Sequence, residues 1–452
     1  MPLMKFPPVA YLVGSLLFAV SSTVSQPVFG AVNLLVSIET HNTPSKAASQ
    51  IPPDSKESLE VTLADGFISV KSVQATTIYD FKTRRRIVLD NASSTSIEYS
   101  LYDTVGFRTI EFQNREKQRS ALAAAKITSV SMSTVDNEHL LSIQSPSPAK
   151  IDEAIKQDDL VFSSNDRQFA RWSRKGYKVI GADAERFAKF LRYNLGGHPT
   201  VLGKLATGNV IPDRLIFTFT ETGWTSSRSI SITALRQVDS NTIDLSPNAM
   251  RRAAGVPGNL DDVLDQAASL NPEEIERAKP LNQESVTNAF HSGKGLDAML
   301  ELLEWTLMTG QKMPPFSAEQ LTMLRGDPSV QKLMTSLAAK TKEQFLEAVN
   351  TLVGLRSQAP KKSYVLKIFE ANDRIRLGEF DASKRLFMEV LQNNLLLAGV
   401  YKDLGDLYFI QYDTFRAWRC WDIGRRFAPQ FGSFAAVNQF EKTLAAQHPE
   451  YF

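Results

Sequence analysis

Five histidines (His41, His139, His198, His291 and His448) and one cysteine, Cys420, are the only imidazole and thiol groups in the chain. No two histidines stand three or four residues apart, and there is no HExxH string or Cys/His cluster, so no dedicated zinc site is expected. The chain also lacks a GxSxG elbow, a P-loop and a GxGxxG turn after a strand. Asp103-Thr104-Val105-Gly106 misses the D-[ST]-G pattern of an aspartic protease. Two Ser-x-x-Lys strings, at 147–150 and 329–332, stand without SDN or KTG elements to support them. The stretch NLGGHPT (194–200) is the most site-like loop: two glycines free its backbone, and Pro199 holds His198. A helix end followed by a proline turn is the reading that its local pattern favours. An envelope hydrolase built here would pair His198 with a carboxylate from elsewhere. No cofactor is implied, and the chain is expected not to be an enzyme.

The elements that carry these residues sit in a chain of 452 residues, long enough for two or three cores. With 43% hydrophobic and 22% charged residues, its composition is that of a folded protein. Lys+Arg 51 against Asp+Glu 49 leaves +2, so no global field favours nucleic acid. At the N-terminus Lys5 precedes the apolar run Val9 to Val20, and small residues at Val28 and Gly30 suit cleavage before Ala31. That run falls short of the roughly 20 residues a membrane span needs. Residues 1–30 are therefore read as a signal peptide, with no transmembrane span after its removal. A single cysteine permits no internal disulfide, which suits an exported, periplasmic or envelope-associated bacterial protein.

The fold class expected is α+β: an antiparallel β-rich part at 59–250, with a split near 145–150 allowed, then an all-helical part at 255–452. Residues 31–58, Pro/Ser-rich from 39 onward, read as a flexible linker. LEVTL and FISVK flank Asp65-Gly66 as a hairpin, and ATTIYDF and IVLD flank KTRRR as a second. SIEYSL alternates again. Gly106 to Lys126 reads as a helix, and ITSVSMSTV with HLLSIQ as a further hairpin turning at 136–138. RKGYKVIG is a strand, and ADAERFAKFLRYNLGG a helix capped by Asp183 and stopped by Gly196. LIFTFTE and RSISITAL are strands separated by TGWTSS. Beyond 255 the pattern is helical throughout.

Two successive 34-residue units, 364–397 and 398–431, align with each other. In the second, Leu404, Gly405, Tyr408, Ala417, Trp421, Gly424 and Pro429 occupy the seventh, eighth, eleventh, twentieth, twenty-fourth, twenty-seventh and thirty-second places. This unit resembles a tetratricopeptide repeat. The first unit keeps Ala371 at the eighth place and Phe387 at the twenty-fourth, but has Glu370, Ser383 and Leu395 at the seventh, twentieth and thirty-second. The resemblance implies paired helices that approach closely at the small residues, and a groove lined from the first helix of each unit. Carried over, that groove holds Val365, Ile368, Asn372, Ile375 and Arg376, then Gly399, Lys402, Asp406, Phe409 and Ile410. Ile368, Asn372, Arg376, Lys402, Asp406 and Phe409 are the main candidates for gripping a protein or peptide segment. Cys420, between Trp418 and Trp421, is read as a filler in helix packing rather than a reactive thiol.

Lys82, Arg84, Arg85 and Arg86 crowd one hairpin end and are the candidate contact to anionic lipid or an acidic envelope polymer. The layout of the β-rich part loosely resembles the periplasmic lipoprotein carriers, whose curved sheet encloses acyl chains. That resemblance implies a concave face lined by residues such as Ile97, Tyr99, Leu101, Phe217 and Phe219. The leading reading is a non-catalytic binding protein; a lipid or lipoprotein carrier is the alternative.

Overall fold

The structure is a computed structural model that describes residues 30–44, 51–93, 95–127, 133–221, 223–238, 251–252 and 259–452. The expected signal peptide lies outside these residues except for Gly30. An antiparallel β-rich part precedes an all-helical one, an α+β architecture.

The chain opens with β1 (Ala31–Pro44), β2 (Ser55–Leu63), β3 (Phe67–Lys71), β4 (Ala75–Asp80), β5 (Arg85–Asp90) and β6 (Thr95–Ser100). Helices α1 (Leu101–Ala124) and α2 (Thr134–Leu141) follow, then β7 (Asp152–Lys156), β8 (Asp159–Ser164), β9 (Arg167–Ser173) and β10 (Gly176–Lys178). Next come α3 (Gly181–Asn194), α4 (Pro199–Ala206), β11 (Val210–Pro212), β12 (Arg214–Glu221), β13 (Trp224–Val238) and β14 (Arg251–Arg252). One 12-stranded sheet takes the order β14-β6-β5-β4-β3-β2-β1-β13-β12-β9-β8-β7, so the first strand lies in its middle. β10 and β11 pair separately.

Four expectations are corrected here. The linker read at 31–58 contains β1, which pairs with both β13 and β2, and the start of β2; residues 45–50 fall outside the described ones. Val32, Leu34, Val36 and Ile38 alternate inward and are buried, so the strand follows from period-two patterning. The hairpin read at 127–144 is replaced, over its described part, by α2. Ser133 and Asp136 form a reciprocal capping box that starts the helix. Asp183 does not cap α3: the cap is Ile180, without a side-chain bond, and Asp183 pairs with Arg186 at 2.7 Å. The proline turn after His198 is the first turn of α4, with Pro199 at its start.

The helical part comprises α5 (Leu260–Ser269), α6 (Pro272–Ala278), α7 (Gln283–His291), α8 (Gly295–Thr309), α9 (Ala318–Gly326), α10 (Pro328–Leu337) and α11 (Lys342–Leu355). It continues through α12 (Ser363–Arg376), α13 (Phe380–Asn393), α14 (Ala398–Ile410), α15 (Thr414–Phe427) and α16 (Ala435–Gln447). Short connections make α10–α11, α12–α13 and α14–α15 hairpins, and each pair packs together. Small residues set their approach. A Cβ on Gly405 of α14 would lie 2.4 Å from Trp421 Nε1 of α15. In the preceding hairpin, Ser383 Oγ donates to the Ala371 carbonyl at 2.9 Å, so the small serine packs between the helices without leaving its hydroxyl unpaired. Gly405→Ala is expected to force α14 and α15 apart and cost about 1–3 kcal/mol, read from urea denaturation; an unchanged midpoint would reject that contact.

The two parts share a core. Helix α15 divides its faces between them: Ala417, Trp418 and Trp421 join the cluster built on the sheet, whereas Cys420, Ile423 and Phe427 join the helical cluster. Gly106 on α1 makes room for Trp418, since a Cβ there would lie 2.4 Å from its ring. Phe434, Val437, Leu444 and Tyr451 also belong to the sheet's cluster. Residues read as the end of a separate helical domain therefore complete the core of the β-rich part.

Candidate functional site: the face of the helical hairpins

The first helices of successive hairpins, α10, α12 and α14, are each packed against α8. Near the N-terminal ends of α12 and α14, Glu304 of α8 accepts hydrogen bonds from Tyr364 Oη, Lys362 Nζ and Asn394 Nδ2, the last at 2.6 Å. Glu301 pairs with Lys362 at 3.0 Å. A Cβ on Gly399 would lie 2.8 Å from Leu307, so α8 also meets α14 at close range. The N-terminal half of the expected groove is thus occupied from within the chain.

This corrects the candidate set. Ile368, like Val365, is fully buried in the helical core and is unavailable to a partner. Phe409 turns toward the sheet side, where its ring centre lies 5.9 Å from Trp418, 5.3 Å from Trp421 and 5.8 Å from Phe440. Asp406 accepts from Trp421 Nε1 at 3.1 Å, which holds α14 against α15, and pairs within α14 with Lys402 at 2.5 Å, so both side chains are engaged. Asn372 Nδ2 donates to Asp403 Oδ2 at 2.8 Å. Burial, with Asp406 adding repulsion, pushes the Asp403 carboxyl up to about 6 against the pull of Asn372, Lys402 and Arg376.

What remains open is the C-terminal half of α12. A cleft of about 490 Å³ runs between the end of α10, the start of α11 and α12. Leu337, Lys340, Phe345, Phe369, Asp373 and Arg376 line it, with Ala339 and Asn372. Phe345 and Phe369 are half-buried, and Arg376 is exposed. Burial pushes the Asp373 carboxyl up to about 6, with Arg376 pulling the other way. Neither residue has an ion-pair partner among the described residues, whereas Arg374 beside them pairs with Glu370 and Glu379. Apolar walls with unspent charges of both signs suit a polypeptide segment better than a lipid tail. Of the candidates, Asn372 and Arg376 reach this cleft. Lys340, Phe345, Phe369 and Asp373 were missed because their roles depend on how one hairpin stacks on the next.

The basic hairpin end has a different use from the one expected. Arg84 donates to Tyr102 Oη and lies 5.8 Å from the Phe452 ring centre. Arg85 pairs with Asp422 of α15 and, at 3.3 Å, with Glu98. Arg86 pairs with the buried Asp103 at 3.0 Å and sits between the rings of Tyr99 and Phe415, 4.8 and 4.7 Å from their centres. Three of the four cations are consumed in joining the sheet to the helical part; the Lys82 ammonium alone has neither an ion-pair nor a hydrogen-bond partner among the described residues.

His198 does meet a carboxylate. Its Nδ1 accepts from Thr200 N at 3.2 Å as the cap of α4, which leaves Nε2–H to donate to Glu138 at 3.1 Å. Glu138 also accepts from Gln144 Nε2, Ser145 N and Ala149 N. Both side chains have zero exposure, so the pair is a buried junction between α2, the 144–149 segment and α4. The residues expected to line a lipid cavity divide as well. Phe217 and Phe219 are buried against His139, Leu101 begins α1, and Ile97 and Tyr99 are half-buried on β6. Cys420 is fully buried, and burial pushes its thiol pKa far up, which keeps it an unreactive thiol. Among the described residues no helix is long and apolar enough to cross a membrane, and no cluster of three His, Cys, Asp or Glu could hold a metal.

No protein-family model matches the sequence, and no curated protein matches it.

Proposed function

We propose that the chain is an exported, non-catalytic binding protein of the bacterial cell envelope whose stacked helical hairpins, of tetratricopeptide type, hold a segment of another protein. The observation that carries this reading is the cleft beside α12, where Phe345 and Phe369 stand next to Asp373, Arg376 and Lys340, whose charges have no ion-pair partner among the described residues. The apolar leader run and the lone cysteine support the envelope address.

The test is crosslinking capture from intact cells, read by mass spectrometry, with the wild-type chain and an Asp373→Lys/Arg376→Glu variant. Both positions lie outside the core, so the thermal midpoint should hold. The variant is expected to lose its specific partner by about tenfold or more, the effect of inverting charges that face a partner. Unchanged capture by a folded variant would reject the assignment.

A further inference from the structure

The inner face of the sheet changes character along its central strands. On β1, Val36 and Ile38 point into the core, and the next residues in the same register are Thr40 and Asn42. On β13, Ile232 and Ile230 are followed by Arg228, Ser226 and Trp224. On β12, Leu215, Phe217 and Phe219 are followed by Glu221. Across the sheet these positions stand opposite one another: Arg228 between Thr40 and Phe217, Ser226 between Asn42 and Phe219, and Trp224 between Pro44 and Glu221. β1 and β13 thus switch from apolar to polar on the buried face at the same level, Thr40 opposite Arg228, and β12 follows two inward positions later, at Glu221. A sheet needs no such change for its own packing, since inward polar groups cost stability unless they are paired.

The switch coincides with a cleft of about 400 Å³, bounded by these residues, by Ser55 and Glu57 of β2, by Pro52 and Pro53, and by Asn194 and Leu195 where α3 ends. Its rim is fixed: Asn42 Nδ2 donates to the carbonyls of Pro52 and Pro53, each at 3.2 Å. Arg228 is anchored through Nη1 to the Leu195 carbonyl at 2.8 Å and lies 4.5 Å from the Phe219 ring centre. Its remaining N–H groups have no protein partner among the described residues. Glu221 has no hydrogen-bond or ion-pair partner among them either, and burial holds its pKa above the usual carboxylate range despite Arg115 and Arg228. Two half-buried charges of opposite sign share a cleft without pairing. In register they are four residues apart along the strands, about 13 Å between backbones, so their side chains leave a gap for a ligand.

We propose that this cleft binds a small linear zwitterion, with Arg228 taking its oxyanion and Glu221, beside the Trp224 indole, taking its ammonium group. A short peptide and an aminoethyl phosphate such as a lipid headgroup carry the same two groups, the peptide at the longer separation. Arg228 supplies a planar, permanently charged donor set for a carboxylate or phosphate. Glu221 and Trp224 together favour an amine through charge and the face of the ring. This site is independent of the helical cleft.

The experiment is titration calorimetry on the full chain with triglycine and with phosphoethanolamine. N-acetyl-triglycine, which lacks the ammonium, and triglycinamide, which lacks the carboxylate, serve as comparisons. One zwitterion is expected to bind, and the two blocked peptides to bind about tenfold or more weakly than triglycine if the peptide is that ligand. Glu221→Gln is expected to weaken zwitterion binding to a similar extent, and Arg228→Lys to weaken it less than Arg228→Gln. Circular dichroism confirms that each variant is folded. Triglycine binding identifies the peptide source, and phosphoethanolamine binding the headgroup source. No binding of either probe at millimolar concentration, or binding that the folded Glu221→Gln and Arg228→Lys variants leave unchanged, overturns the proposal.

Discussion

Deleting residues 364–452 is expected to unfold the β-rich part rather than release it as a stable domain. Trp418, Trp421, Phe434, Val437, Leu444 and Tyr451 all belong to the cluster that covers the sheet. Tyr451 is fully buried and bonded on several sides: its hydroxyl meets Arg108 at 3.1 Å, and its carbonyl accepts from Tyr193 Oη at 3.1 Å. Arg192 donates to the Glu450 carbonyl at 2.8 Å, and Lys189 to that of Phe452 at 2.9 Å. Removal would expose α1, α3 and their apolar partners to water. The single substitution Trp418→Ala isolates the effect. It empties a site packed against Gly106 and removes the indole N–H that donates to Glu441 at 2.9 Å. A loss of about 3–5 kcal/mol is expected, with near-ultraviolet dichroism and hydrogen exchange in the sheet and in α12–α15 reporting one common transition. A sheet that keeps its exchange protection after the deletion would show that the two parts fold separately.

His139→Phe is expected to stabilise the protein and to remove part of its acid sensitivity. The imidazole is 1% exposed, stacks 4.4 Å from Phe219, and has no partner for either ring nitrogen among the described residues. Burial holds its pKa well below 6.5, with Arg228 and Arg167 adding repulsion. The folded state therefore keeps it neutral, while the unfolded chain takes up a proton as the pH falls below 6.5. Stability attached to this group is full above that pH and is lost below it, by up to about 1.4 kcal/mol per pH unit. Replacing the ring with phenyl removes two unpaired polar atoms, a gain of about 1–3 kcal/mol at neutral pH, and cancels that slope. Asp103, Asp373 and Asp403 titrate with the opposite sign. Their folded carboxyls are pushed up to about 6, so their contribution is present at low pH and is lost as the pH rises through that value. The readout is therefore the difference between variant and wild type in urea midpoints from pH 7 to pH 4.5. A difference that does not change with pH would show that His139 is not held neutral.

Local patterns made much of the fold legible. The hairpins around Asp65-Gly66 and the KTRRR turn, the helices α1 and α3, and the strands β12 and β13 follow from period and turn chemistry, give or take a few residues at their ends. The small residues Gly405 and Ala371 marked close helix pairs before any helix was placed. Strand β1 was hidden by its second half. Thr40 and Asn42 face inward but are polar because the sheet's inner face is polar there, so the period-two signal fades where a cleft begins. Helix α2 was hidden for a related reason: Asp136, Asn137 and Glu138 look like turn residues, yet each is buried and bonded to groups brought from elsewhere.

The sequence by itself determined most of the strands and helices apart from β1, α2 and β7–β9, the transition to an all-helical part, and the reading of Cys420 as a packing residue. Each rests on neighbours within a few residues, which period, turn chemistry and helix spacing report directly. Tertiary structure alone decided which charges are free. Arg84, Arg85 and Arg86 are spent on Tyr102, Asp422 and Asp103, whereas Asp373, Arg376, Glu221 and Arg228 have no ion-pair partner among the described residues. A charge is neutralised by whatever lies within a few ångströms, and in a folded chain that neighbour can come from hundreds of residues away.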